Sequence, residues 1–140
     1  MKSATIRFDM LERAEEFLEA FRQLPIPERR WISWPRYFLL CHAIELGLKA
    51  FLASRGVQET ELRRDFAHKL DALMREALCK GLNGHVGILA AGELRLLDEA
   101  HKKHWARYPR EERKPVLMID NYEPYVAELL RGVSKAIRDG

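Results

Sequence analysis

Arg63 and Arg64 stand side by side, and His68 follows with Asp65-Phe66-Ala67 in between. A guanidinium stays charged and offers a planar fork of donors, so it suits the oxygens of a phosphate. An imidazole titrates near neutral pH and can take or give a proton, a service worth roughly 10²–10⁴-fold in rate. Together these residue types describe the handling of a phosphate with proton transfer. The spacing is loose, however, in a chain with 24 lysines and arginines. A histidine at a helix start also serves by bonding a backbone carbonyl or a neighbouring carboxylate. Spacing does not separate the two roles.

Other residues could join such a site. Glu45 precedes Lys49 by four residues, the favourable order for a pair along one helix. The alternative is that both line the cleft of His68 from a neighbouring helix, with Lys49 on phosphate. His42 beside them reads as a partly buried histidine with a satisfied hydrogen bond. Downstream, Lys102, Lys103, Arg107, Arg110, Arg113 and Lys114 cluster around Trp105 and Tyr108. They offer phosphate contacts and a stacking surface for single-stranded RNA, or simply place cations at a helix C-terminus. Arg29, Arg30 and Trp31 pose the same alternative. His101 and His104 have a spacing that permits a metal pair, but no cysteine or carboxylate cluster completes it. Neither metal nor cofactor is expected. Cys41 and Cys79 lack CxxC spacing and read as small core residues.

These side chains need elements to position them. Apolar residues at three-and-four spacing (Met10, Ala14, Phe17, Phe21, Leu24, flanked by Leu11 and Leu18) predict a helix over 5–24, stopped by Pro25 and Pro27. Pro35 opens a second helix whose stripe of Tyr37, Cys41, Ile44, Leu48 and Phe51 is broadened by Phe38, Leu40 and Leu52. So wide a stripe predicts a central helix packed on more than one side, ended by Gly56. One short turn is expected from Thr60, a third helix over 67–80 ended by Gly81, and, after Asn83 and Gly84, a fourth, long one to about Arg107. PVLMI has strand character but no partner. A last helix opens with Asp120 and Glu123 in capping-box spacing.

The fold class is therefore all-α: an antiparallel bundle of four long helices plus shorter helical pieces, with 1–140 as a single domain. Its 140 residues, 47% hydrophobic and 32% charged, exclude a disordered chain. A net charge of +3 permits a polyanionic partner without demanding one. Charges come too early for a signal peptide, and the uncharged run from Tyr37 to Cys41 is too short to span a membrane. A cytoplasmic protein without membrane contact is expected.

The run HAIELGLKAFLASRG, followed by ELRRDFAHKLDALMREALCKGL, resembles the HEPN (higher eukaryotes and prokaryotes nucleotide-binding) domain. The likeness covers the middle third of the chain, with a weaker continuation in the helix ending ARYP. It implies a four- or five-helix bundle that forms a homodimer. Many members are metal-independent endoribonucleases, including toxins and defence effectors, with a signature of arginine, four to six residues, then histidine. Arg63 and His68 match it as the implied catalytic pair. Arg64, Lys49, Glu45, Lys102, Arg107 and Arg110 are then the implied nucleotide or RNA contacts. A small polar residue often follows the signature arginine; here it is Arg64. Other members bind only a nucleotide or a protein, such as an antitoxin or nucleotidyltransferase partner, so the likeness leaves both functions open.

Overall fold

The computed structural model describes residues 2–26, 33–67, 69–87, 90–94, 97 and 119–139, which form helices and turns with no strand among them. Helix α1 spans Lys2–Gln23. Leu11, Ala14, Leu18 and Phe21 are its buried line, while Met10 and Phe17 pack at the margin. The seam is thus centred on Leu11 and Leu18, about one position away from the expected one. Both stripes have helical spacing, and contact with the next helix decides between them.

That helix, α2, spans Trp34–Ser54. The Ser33 hydroxyl accepts from the Arg36 backbone N–H at 3.4 Å, and Pro35 sits in the first turn, where its missing N–H costs no bond. Tyr37, Leu40, Ile44, Leu48, Phe51 and Leu52 are all fully buried. No single neighbour can cover so many directions, and α2 accordingly packs on α1, α4 and α5, the last two defined below. By length and composition α2 would also suit a membrane crossing, although 67% of that stretch is buried inside the fold. Gly56 ends it with φ 93, a conformation glycine adopts without strain.

Helix α3 is a single turn, Glu59–Glu61, and runs straight into a wider π turn over Leu62–Phe66. Helix α4 follows at Leu70–Cys79, three residues later than the pattern predicts, because Ala67, at φ 42, closes the π turn outside helical backbone geometry. Gly81, at φ 102, ends it and leads into a 3-10 turn over Leu82–Gly84. Residues 90–94 and 97 are helical, where the long fourth helix is expected. The Tyr37 hydroxyl donates to the Leu97 carbonyl at 3.3 Å and ties that segment to α2. Residues 85–87 are not helical, so the expected long helix does not begin directly after Gly84; its other positions and most of PVLMI lie outside the described residues.

Helix α5 spans Glu123–Asp139 and is preceded by a 3-10 turn over Ile119–Tyr122. Val126, Leu129, Leu130, Val133 and Ile137 form its buried face. Arg22 at the end of α1 donates to Glu123 at the start of α5 at 2.6 Å, so the two helices run antiparallel. Two glycines let α5 come close. A Cβ on Gly47 would meet Leu130 Cδ2 at 2.5 Å, and one on Gly132 would meet the His85 carbonyl at the same distance.

Candidate functional site

The π turn carries Arg63 and Arg64. The Ala67 N–H reaches back five residues to the Leu62 carbonyl at 2.9 Å, one residue further than an α-helix allows. Leu62 is buried and Phe66 packs at the core margin, so the turn is anchored from beneath while Arg63, Arg64 and Asp65 are exposed. Ala67 closes the turn at φ 42, ψ −111. A side chain there costs about 1–3 kcal/mol. Wide turns and strained residues of this kind gather at functional sites. Here the π turn carries Arg63 itself, and the strained Ala67 directly precedes the position of His68.

The exposed charges of the turn are paired locally. Arg63 Nη2 lies 2.7 Å from Glu59 Oε1. Arg64 forks onto its neighbour, with Nε to Asp65 Oδ1 at 2.9 Å and Nη2 to Oδ2 at 3.2 Å. These hydrogen bonds push Arg64 above its ordinary value and hold Asp65 below the usual carboxylate range. Water and salt screen such surface pairs, which contribute little to stability. Exchanging a carboxylate for a phosphate at these guanidiniums therefore sacrifices little. The arrangement is suited to capturing a phosphate. His68, Lys102, Arg107 and Arg110 lie outside the described residues, as do Arg29, Arg30, Trp31, His101 and His104.

Glu45 and Lys49 form an ion pair at 3.1 Å within α2, with side chains only 5% and 12% exposed. Burial makes this pair costly to break, because either charge alone would be left without enough solvent. No hydrogen bond or ion pair among the described residues joins Lys49 to the Arg63–Arg64 turn. His42 departs from expectation: it is exposed, with its ring edge-on to Phe17 at 5.0 Å between centroids. Cys41 is buried as expected, but Cys79, on the outer side of the last turn of α4, is exposed. Among the described residues no group of three or more His, Cys, Asp or Glu side chains gathers to hold a metal.

Arg36 is the charged residue that sequence reasoning missed. It is 4% exposed, its guanidinium lies 4.2 Å from the centre of the Phe21 ring, and Nη2 meets Asp120 Oδ1 at 2.6 Å. Its Nε is buried without a partner. The only signal in the sequence is an arginine placed directly after Pro35 in an otherwise apolar helix opening. Compared with protein-family models, with curated proteins and with solved structures, the chain matches none.

Proposed function

We propose that this chain is a HEPN-like, RNA-directed protein that works as a homodimer and cleaves RNA without metal through Arg63 and His68. The observation that carries the reading is the strained π turn, which overlaps the Arg-x4-His spacing and presents two guanidiniums on weakly held carboxylates. In RNA the 2′-hydroxyl attacks the adjacent phosphate, the 5′-oxygen leaves, and a cyclic phosphate remains. Arg63 and Arg64 stabilise the charge that develops on the phosphate oxygens. His68 takes the hydroxyl proton or supplies one to the leaving oxygen. A two-fold pair provides a second imidazole, so that one accepts while the other donates.

The fold in this reading is the HEPN four-helix arrangement, with the basic segment around Lys102, Arg107 and Arg110 contributing further phosphate contacts. The test is cleavage of a labelled RNA in EDTA by wild type, Arg63→Ala and His68→Ala. Wild type should cleave, and each substitution should lower the rate at least 10²-fold while leaving the helical circular dichroism unchanged. Absence of cleavage by wild type, or full activity of His68→Ala, overturns the reading.

One observation favours a second reading, a module that binds nucleotide or a protein such as an antitoxin without cleaving. Arg64 is forked onto Asp65 where nuclease members often carry a small polar residue. Retained RNA or nucleotide binding by an inactive wild type would select it.

A further inference from the structure

A groove of about 580 Å³ runs along the outside of the α1–α5 pair. Leu18, Ala127 and Leu130 lie along it, and charged residues from each helix flank them. On α1 a stripe at alternating four-and-three spacing reads Phe8, Glu12, Glu15, Glu19, Arg22. The matching stripe on α5 reads Ala127, Arg131, Ser134, Arg138, with Lys135 beside it. This spacing is the one by which a helix packs along another helix. Phe8, 46% exposed, is among the few large apolar side chains left in solvent.

The charges on the two stripes are complementary but not used on each other. Among the described residues Glu12, Glu15 and Glu16 enter no ion pair, and neither do Arg131, Lys135 and Arg138. We propose that this face is covered by a second copy of the chain, with α1 of each copy lying over α5 of the other. A two-fold axis along the groove does this and brings the same patch to both sides.

Register supports the pairing. The Arg22–Glu123 contact fixes one end of the antiparallel helices. Equal rises of about 1.5 Å per residue from that end put Glu12 to Glu16 level with residues 129–133, so that Arg131 stands among them, Lys135 about 3 Å further along and Arg138 about 7.5 Å further. An axis along the groove leaves that level unchanged, so the acids of one copy meet Arg131 and Lys135 of its mate.

Size sets the strength. Two helices side by side, one of 17 residues, offer a face of roughly 25 by 20 Å. That is below the ~800 Å² per partner of a standard interface. Charge then governs rate and register, and the association is salt-sensitive. Neither Arg63 nor Arg64 lines the groove, so the inference does not rest on the nuclease reading.

The test uses two triple variants of the full chain, Glu12→Lys/Glu15→Lys/Glu16→Lys and Arg131→Glu/Lys135→Glu/Arg138→Glu, with mass read by sedimentation equilibrium. At low ionic strength and high micromolar concentration, wild type should be at least twice as heavy as either variant, whether or not a separate contact at Arg63 and His68 also pairs the copies. Molar salt should reduce its mass to theirs. An equimolar mixture of the two variants should regain the wild-type mass, because opposite charges again meet at both α1–α5 contacts. These positions are exposed, and circular dichroism checks that each variant is folded. Glu15→Lys with Arg131→Glu serves as a milder pair. A wild type no heavier than the variants overturns the proposal, as does a mixture that stays at the variants' mass. RNA cleavage, measured separately, reports on the nuclease reading alone.

Discussion

Arg36 and Asp120 show how unevenly two halves of an ion pair can depend on each other. The guanidinium is buried, whereas the Asp120 side chain is 42% exposed. Asp120→Ala strands a charge in the core beside an Nε that already lacks a partner, and should cost about 3 kcal/mol. Arg36→Met keeps an unbranched stem on Phe21 and leaves Asp120 to water, and should stay within about 1 kcal/mol of wild type. Urea unfolding of the two variants measures the difference. Equal losses would mean that solvent reaches the guanidinium. The pairing was not legible in the sequence, because the partners lie on segments that only the fold brings together. The Glu45–Lys49 pair was legible from its four-residue spacing; its burial was not, since that depends on what packs over α2.

At the level of elements, the residues that stop helices were the easiest to read. Gly56 and Gly81 take the positive φ that ends α2 and α4. The π turn was not legible: it differs from an α turn by one residue of winding, and no residue type encodes it. Ala67, rather than glycine, stands at its positive φ. The last helix follows the same division. Its buried face was evident from spacing, but its 3-10 opening was not, because Asp120 is drawn to Arg36. The approach of α5 to its neighbours yields a contrast between two glycines. A Cβ at Gly132 would strike the His85 backbone carbonyl and the Val86 side chain, neither free to withdraw far. Gly132→Ala should therefore cost about 1–3 kcal/mol. At Gly47 the obstacle is the tip of Leu130, which can turn aside, and alanine regains about 1 kcal/mol of helix propensity. Gly47→Ala should be close to neutral. Thermal unfolding of both distinguishes backbone crowding from side-chain crowding.

For the whole molecule, stability should fall at the alkaline end. Burial pushes the Tyr122 phenol above its ordinary value of 10.0, with the charge of Glu93 adding to the effect. The folded state thus binds this proton more tightly than the unfolded chain does. The resulting stabilisation is complete below pH ~10 and is lost as pH rises through the raised value. Wild type should lose melting temperature more steeply than Tyr122→Phe between pH 10 and 12; parallel curves would show that the ring is solvated. The all-α architecture was readable because apolar spacing repeats through α1, α2, α4 and α5, and the breadth of the α2 stripe announced its central place. How α1 and α5 meet was not readable, since their matching charges lie far apart in the chain. The central place of α2 also has a consequence for biosynthesis. Residues 34–54 leave the ribosome well before residues 123–139, against which Gly47 packs through Leu130 and Leu129. Until the C-terminal segment arrives, the growing polypeptide carries a greasy, half-dressed rod. A chaperone that holds nascent chains has its natural grip there, and synthesis stalled short of α5 should leave aggregates rather than a smaller folded product.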